Sequence, residues 1–290
     1  MKSGLVAVAG RPNVGKSTLV NSLAGDKVAI VSDKPQTTRR RISAVLNGDG
    51  YQLVLIDLPG FQRPRDPLTE RMQRTVDASL EDVDAFLFVV AADERSGAGD
   101  RFVAERVYSA GPPVVVALNK VDRLKPAAIA ARIEETAALG DFHSLHPVSA
   151  LRGEGVEPLR QDLVELLPDG APLFEEGRRT DLSLEAQVGE LIREQALART
   201  REEVPHALTV EVEEIERTPR TVRVQAFVYV ETESQKGILV GKSGGMIREI
   251  GSAARAEIEL LLERKIFLDL QVKVRPKWRR DETLLQRLGI

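Results

Sequence analysis

Gly10-Arg-Pro-Asn-Val-Gly-Lys-Ser17 lies between an apolar, β-rich run, Leu5-Val-Ala-Val-Ala9, and Ser17-Thr-Leu-Val-Asn-Ser-Leu23, whose apolar residues fall at helical spacing. Strand, glycine-bearing turn and helix in that order form the setting of a phosphate-binding loop, and hence of an α/β fold built around it. Gly10 and Gly15 permit backbone angles and close approaches that a Cβ would block, so successive amides and the helix N-terminus can point at phosphate oxygens. Residues Asn13, Val14, Gly15, Lys16, Ser17 and Thr18 are therefore the expected cradle. Lys16 brings a positive charge to the β- and γ-phosphates, and the Ser17 hydroxyl is placed for Mg²⁺.

A second phrase, Asn119-Lys-Val-Asp122, selects the base. It follows Pro113-Val-Val-Val-Ala-Leu118, a buried-strand pattern, and so sits at the carboxyl edge of a sheet, where open α/β folds bind ligands. A carboxylate at Asp122 accepts from guanine N1–H and the 2-amino group; adenine offers neither, which disfavours an adenine-specific phosphotransferase. Asn119 and Lys120 belong to the same expected base site. The apolar run Leu53-Val-Leu-Ile56 ends in Asp57-Leu-Pro-Gly60, with Asp57 placed to hold Mg²⁺ through water and the Gly60 amide to sense the γ-phosphate. Upstream, Gln36-Thr-Thr-Arg-Arg-Arg41 is polar and basic, and a threonine in it can complete the Mg²⁺ shell when GTP is present. Ser149-Ala150, after Leu145-His-Pro-Val148, fits the small-residue loop whose backbone touches guanine.

In these motifs the chain resembles the GTPases related to Ras, and more closely the bacterial Era family, which joins a Ras-like GTPase domain to a C-terminal KH domain. That resemblance favours Thr38 over Thr37 as Mg²⁺ ligand, makes Lys16, Thr38 and Gly60 the catalytic set, and gives Asn13 to a K⁺ ion that does the work of an arginine finger. One departure from the Ras pattern carries a consequence. Phe61 follows Asp57-Leu-Pro-Gly60 and cannot orient water as glutamine does. Turnover is expected to be slow, with backbone groups, a cation, a nearby polar side chain or a partner assisting.

The 290 residues suit two domains, and the absence of cysteine excludes disulfides and thiolate metal sites. The sequence shows no signal peptide ahead of the first strand, and Ala85-Phe-Leu-Phe-Val-Val-Ala-Ala92 is too short to span a membrane, so a cytoplasmic protein is expected. Lys+Arg 41 against Asp+Glu 44 gives a net charge of −3, which argues against an extended nonspecific nucleic-acid surface but allows local basic patches.

Proline and glycine in Leu167-Pro-Asp-Gly-Ala-Pro-Leu-Phe174 interrupt a helical segment. The expected division is a GTPase domain over 1–170, a linker over 171–182 and a second, α+β domain over 183–290. In the latter, an amphipathic helix (183–200) precedes two strands, Ala207–Ile215 and Thr221–Val230, joined by the turn Arg217-Thr-Pro-Arg220 as an antiparallel pair. Then come Gly241-Lys-Ser-Gly244, a helix to about Arg264 and the alternating strand Phe267–Val274. That order resembles the type II KH fold, which binds single-stranded RNA. Its clamp would be Gly241, Lys242, Ser243 and Gly244, where the backbone of a strand approaches closely. Ile238, Leu239, Val240, Ile247 and Ile250 are candidates for the apolar groove under the bases. Lys273 and Arg275 share one face of the last strand and can extend a phosphate track. Trp278 either stacks on a base or anchors the tail, and Arg39–Arg41 either touch RNA or solvate an exposed switch.

The resemblance covers essentially the whole chain. It implies GTP or GDP, Mg²⁺ and K⁺ as ligands, the 3′ end of 16S ribosomal RNA and the 30S subunit as partners, a monomer, a role in small-subunit assembly, and loose attachment to the inner membrane surface. Read from residues alone, the chain is a GTP-switched binder of single-stranded RNA. The competing reading is an RNA-binding scaffold whose guanine nucleotide is structural.

Overall fold

The computed structural model describes every residue except Pro35, Gln62, Arg63, Arg65 and Arg220, so the last residue of the expected turn, Arg220, lies outside the described residues. The chain forms two compact units, the larger made of residues 1–31, 36–65 and 69–181 and the smaller of residues 182–290 together with the short segments 32–35 and 66–68.

In the larger unit the elements are β1 (Lys2–Ala9), α1 (Lys16–Ala24), β2 (Ile42–Gly48), β3 (Tyr51–Asp57), α2 (Pro67–Ala78), β4 (Ala85–Ala91), α3 (Ala98–Ser109), β5 (Val114–Asn119), α4 (Pro126–Ala137), β6 (Ser144–Val148) and α5 (Val156–Glu165). Among the described residues the sheet order is β2-β3-β1-β4-β5-β6. All neighbours run parallel except β2, which pairs antiparallel with β3. Alternate residues of the central strands enter two apolar layers, which is why those strands read as continuous apolar runs. Val6, Val8, Leu87 and Val89 pack with Leu19 of α1 and Leu159 and Leu163 of α5. Ala7, Phe86, Phe88 and Val116 pack with Val103 and Val107 of α3 on the other side. Strand order reverses at β1, where β3 lies on one side and β4 on the other, and the loop after β1 opens at that switch point.

The segment expected to be a linker is stitched to β2 and β3, and the residues just before it to β1. Ser3 N donates to Pro168 O (3.0 Å), and Gln52 Oε1 accepts from Leu173 N (2.7 Å) and Phe174 N (2.9 Å). Val45 N donates to Arg179 O (2.9 Å), and Ser43 donates to both carboxylate oxygens of Asp181 (2.9 and 2.7 Å). Residues 171–181 thus satisfy the outer edge of β2, an antiparallel edge strand that would otherwise expose unpaired backbone.

The smaller unit runs α6 (Leu184–Arg199), α7 (Val204–Ala207), β7 (Thr209–Arg217), β8 (Val222–Val230), α8 (Glu233–Val240), α9 (Gly245–Leu262), β9 (Ile266–Val274) and α10 (Glu282–Arg287). Its sheet is ordered β7-β8-β9, with β7 antiparallel and β9 parallel to β8. Ser183 caps α6 by accepting from Ala186 N, and Thr232 and Gln235 form a reciprocal capping box on α8. Val222, Val224, Ala226, Val228 and Val230 are buried by strand alternation. Trp278 is 0% exposed and its Nε1 donates to Ala207 O (2.6 Å), so of the two readings of this residue the structure takes the anchor.

Candidate nucleotide site and nucleic-acid loop

Gly10 (φ 155) and Gly15 (φ 96) hold backbone angles that side chains resist. A Cβ on Gly10 would meet Val89 O at 2.6 Å, and one on Gly15 would meet Asn119 Nδ2 at 2.4 Å, so the loop closes on its neighbours only because these positions are bare. Helix α1 begins behind Gly15 with no side-chain cap on its first-turn amides. Val14 is buried and Asn13, at φ 64, is exposed on the loop. Lys16 is buried beneath the loop, its Nζ donating to Gly10 O (3.1 Å) and Arg11 O (2.9 Å). Burial pulls its pKa down to about 8, with the Asp57 charge partly opposing. A buried ammonium bonded mainly to neutral carbonyls favours an arriving polyanion.

Three oxygen-bearing side chains meet at the end of β3. Ser17 Oγ donates to Asp57 Oδ2 (2.7 Å), Thr38 Oγ1 donates to the same oxygen (3.1 Å), and the two hydroxyls are 3.0 Å apart. Asp57 is 0% exposed and its Oδ1 has no hydrogen-bond partner among the described residues. Burial raises its pKa, while Lys16, Ser17 and Thr38 each act to lower it. A buried carboxylate with one unsatisfied oxygen beside two hydroxyls suits a hard divalent cation with oxygen ligands. The hydroxyl brought to this corner is that of Thr38; Thr37, the alternative, is half-buried on the same segment. Gly60 lies against the loop, where a Cβ would fall 3.0 Å from Pro12 Cγ and 3.1 Å from Pro12 N. Phe61 is buried in the apolar layer with Leu58 and Val76, so the side chain after Gly60 serves the core.

At the base end, Asn119 holds two loops at once. Its Nδ2 donates to Val14 O (3.0 Å) and its Oδ1 accepts from Ala150 N (3.0 Å). Ser149 Oγ donates to Asp122 Oδ1 (2.7 Å), fixing that carboxylate. Lys120, at φ 68, has its Nζ 3.4 Å from Asp93 Oδ1, and Arg123 pairs with Asp93 at 2.5 Å. Asp93 was missed in the sequence. The available signal was an acid directly beyond a buried strand, β4, at the edge where the other site residues cluster. Arg11 was missed as well: its Nε donates to the buried Asp100 (2.7 Å), tying the loop to α3.

In the smaller unit, Gly241 (φ 70) and Gly244 (φ 74) bracket a tight loop between α8 and α9, and Ser243 also takes a positive φ of 52°. A Cβ on Gly241 would meet Met246 Cβ at 2.8 Å. Lys242 and Ser243 are exposed, as is Ile238, while Ile247 and Val240 are half-buried. Leu239 and Ile250 are 0% exposed and belong to the core rather than to a groove. The expected phosphate track along β9 is not assembled with this loop. Leu270 lies under α9, where a Cβ on Gly251 would fall 3.9 Å from its Cδ2, so by strand alternation Lys273 and Arg275 take the opposite sheet face. There Lys273 lies over the Phe227 ring (3.1 Å) and Arg275 pairs with Asp281. The run Arg39–Arg41 is not uniformly exposed either: Arg39 is 3% exposed, Arg40 half-buried and Arg41 exposed.

Comparison with known proteins accords with both halves. Residues 5–120 match the family model described as 50S ribosome-binding GTPase, and residues 203–279 match that of the KH domain. GTPase Era of Carboxydothermus hydrogenoformans is 44% identical over 99% of this chain and 97% of its own length. The chain belongs to the Era family of GTPases. Era of Ruminiclostridium cellulolyticum is 43% identical, over 99% of this chain and 97% of its own. A crystal structure of an Aquifex aeolicus Era variant bound to GDP and AlF4⁻ superposes with a TM-score of 0.96 at 38% identity, covering 100% of this chain and 99% of that one. A crystal structure of Era with MgGDPNP and nucleotides 1506–1542 of 16S ribosomal RNA gives 0.95 at 38% identity, over the same shares of the two chains. As a member of the Era family, the chain is a GTPase with an α/β nucleotide-binding domain and a KH domain. No helix among the described residues is long and apolar enough to cross a membrane.

The corner formed by Ser17, Thr38 and Asp57 predicts unequal effects of the two switch threonines. Thr38→Ala should raise the Mg²⁺ concentration needed for half-maximal binding of a GTP analogue by about tenfold, the scale of one lost hydrogen bond to a charged group. Thr37→Ala should leave it within about twofold. Titration of analogue binding with Mg²⁺ measures both, and equal shifts would remove Thr38 from the corner.

Proposed function

We propose that this protein is a GTP-hydrolysing switch that binds the single-stranded 3′ end of 16S ribosomal RNA during assembly and maturation of the small (30S) ribosomal subunit. The reading is carried by one observation: a complete nucleotide corner and an exposed Gly-x-x-Gly loop occur in one chain that matches, end to end, a relative solved with MgGDPNP and 16S RNA. The functional division follows the two units, with nucleotide chemistry in the part before the 171–182 segment and RNA binding after it.

In this reading Asn13, Val14, Gly15, Lys16, Ser17 and Thr18 cradle the phosphates, and Ser17, Thr38 and Asp57 hold Mg²⁺, Asp57 through water. The ion would neutralise phosphate charge. Lys16 meets the β/γ-phosphates, the Gly60 amide senses the γ-phosphate, and Asn119, Lys120, Asp122, Ser149 and Ala150 hold guanine. With Phe61 in the core, no side chain at that position faces the attacking water, so intrinsic turnover is slow and the GTP state acts as a timer. K⁺ at Asn13 supplies charge in place of an arginine finger. The cytoplasmic location is expected from the sequence, and the monomeric state and peripheral contact with the inner membrane from family resemblance.

Base selectivity is tested by Asp122→Asn, which replaces the acceptor for the guanine 2-amino group with a donor. It should lower GTP affinity and favour xanthosine triphosphate; unchanged GTP affinity would take Asp122 out of the site. GTP turnover should be faster in K⁺ than in Na⁺, and Asn13→Ala should erase that difference, whereas equal wild-type rates in the two salts would end the cation role. RNA recognition is tested by replacing Lys242 and Ser243 together with aspartate. Two negative charges on an exposed loop should leave stability and GTP binding unchanged while RNA affinity falls by at least about a hundredfold. Normal RNA binding by that variant at moderate salt would overturn the assignment.

A further inference from the structure

Beside the Gly241–Gly244 loop an open depression of about 640 Å³ is lined by Arg199, Gly245, Arg248, Glu249, Ser252 and Ala253. Gly245, Glu249, Ser252 and Ala253 lie on the flank of α9 opposite Ile247 and Gly251, at about 100° per residue. Gly251 packs against Leu270 of β9, so the depression is on the α6 side of the helix and separate from the apolar residues expected under the bases. Arg248 is exposed and, among the described residues, has neither an ion-pair nor a hydrogen-bond partner. Its guanidinium folds toward the loop: a Cβ on Gly244 would lie 3.2 Å from Arg248 Nη1. Across the depression, Arg199 is half-buried at the last turn of α6, where its Nη1 donates to Gln195 O (3.1 Å) and Gln195 Oε1 (2.8 Å), both uncharged. Two guanidiniums without carboxylate partners, with an exposed hydroxyl at Ser252 between helices, make an anion-binding concavity; Glu249 is its one acid.

We infer that this depression is a second phosphate-binding subsite, in which Arg199, Arg248 and Ser252 take the backbone of the RNA strand where it runs past the Gly-x-x-Gly loop. The inference rests on the RNA-binding reading above and adds a site to it. An extended phosphodiester fits because the depression is open, carries two arginines against one acid and reaches Gly245, next to the loop. The loop clamps about four nucleotides, so a longer strand must leave it over one flank of α9, and the α6 flank is the one lined with arginine. Glu249 then acts against binding.

Affinity and its salt dependence are to be measured on the full-length protein with two RNAs from the single-stranded 3′ end of small-subunit ribosomal RNA, a tetranucleotide and a strand of about twelve nucleotides. Arg199→Gln with Arg248→Gln should weaken the long strand about tenfold. The same variant should flatten the slope of log K against log salt by about 1.4, at about 0.7 per phosphate, and leave the tetranucleotide unchanged. Lysine at both positions should restore most of the loss, and Glu249→Gln should tighten the long strand alone. Equal weakening of both RNAs, or an unchanged slope with the long strand, would overturn the second subsite while leaving the loop in place. Failure of the Lys242 and Ser243 aspartate variant to lose either RNA would instead overturn the underlying RNA reading.

Discussion

A carboxylate with no exposure to water, Asp57, is the constraint on which the nucleotide unit turns. It stands at the carboxyl end of β3 and accepts from Ser17, at the start of α1, and from Thr38, in the segment before β2. One buried oxygen therefore ties together the phosphate loop, the switch segment and the sheet. Its other oxygen is buried with no hydrogen-bond partner among the described residues, which is costly in the protein alone and which a cation would relieve. The same burial that raises the Asp57 pKa lowers that of Lys16, and each opposes the shift of the other. The pair is thus held in an electrostatic tension that a polyphosphate and a divalent ion would release together.

The tie at Asp57 extends to the chain beyond the site. Thr38 is followed within five residues by Ser43, which grips Asp181 through both its amide and its hydroxyl. The edge of β2 is in this way a short backbone path between the switch threonine and the residue at which the larger unit ends. Asn119 provides a second tie, joining the phosphate loop at Val14 to the base loop at Ala150, and the bare Cα of Gly15 is what lets its amide come so close.

Much of this was legible in the sequence because phosphate and guanine recognition depend on short runs whose chemistry is local. Gly10, Gly15, Lys16, Asp57, Asn119 and Asp122 could each be singled out from residue type and neighbouring apolar pattern, and the fold brings them to one edge of the sheet. The choice between Thr37 and Thr38 could not be made from the residues alone, since adjacent threonines differ only in direction, and direction is set by tertiary packing. Strand β2 was hidden because a helix–switch–strand reading left Ile42–Gly48 unassigned, although the turn at Asn47-Gly-Asp-Gly50 marked a hairpin. The 171–181 segment looked like a linker because proline and glycine signal loops, whereas its order comes from hydrogen bonds to residues more than a hundred positions away. Lys273 and Arg275 were read correctly as sharing a face, but which face carries the helices is a tertiary fact. Trp278 was ambiguous for the same reason.

The central claim is that nucleotide state, sensed at Thr38, alters RNA affinity. The direct measurement is the Kd of the full-length protein for the single-stranded 3′ end of 16S ribosomal RNA, with a non-hydrolysable GTP analogue or with GDP at saturating concentration, in wild type and in Thr38→Ala. The account predicts a difference of about 5- to 150-fold between the two nucleotide states of the wild type, the usual range of a coupling free energy, collapsing to within about twofold in the variant. Equal affinities in the two states of the wild type would contradict it and make the nucleotide a structural ligand.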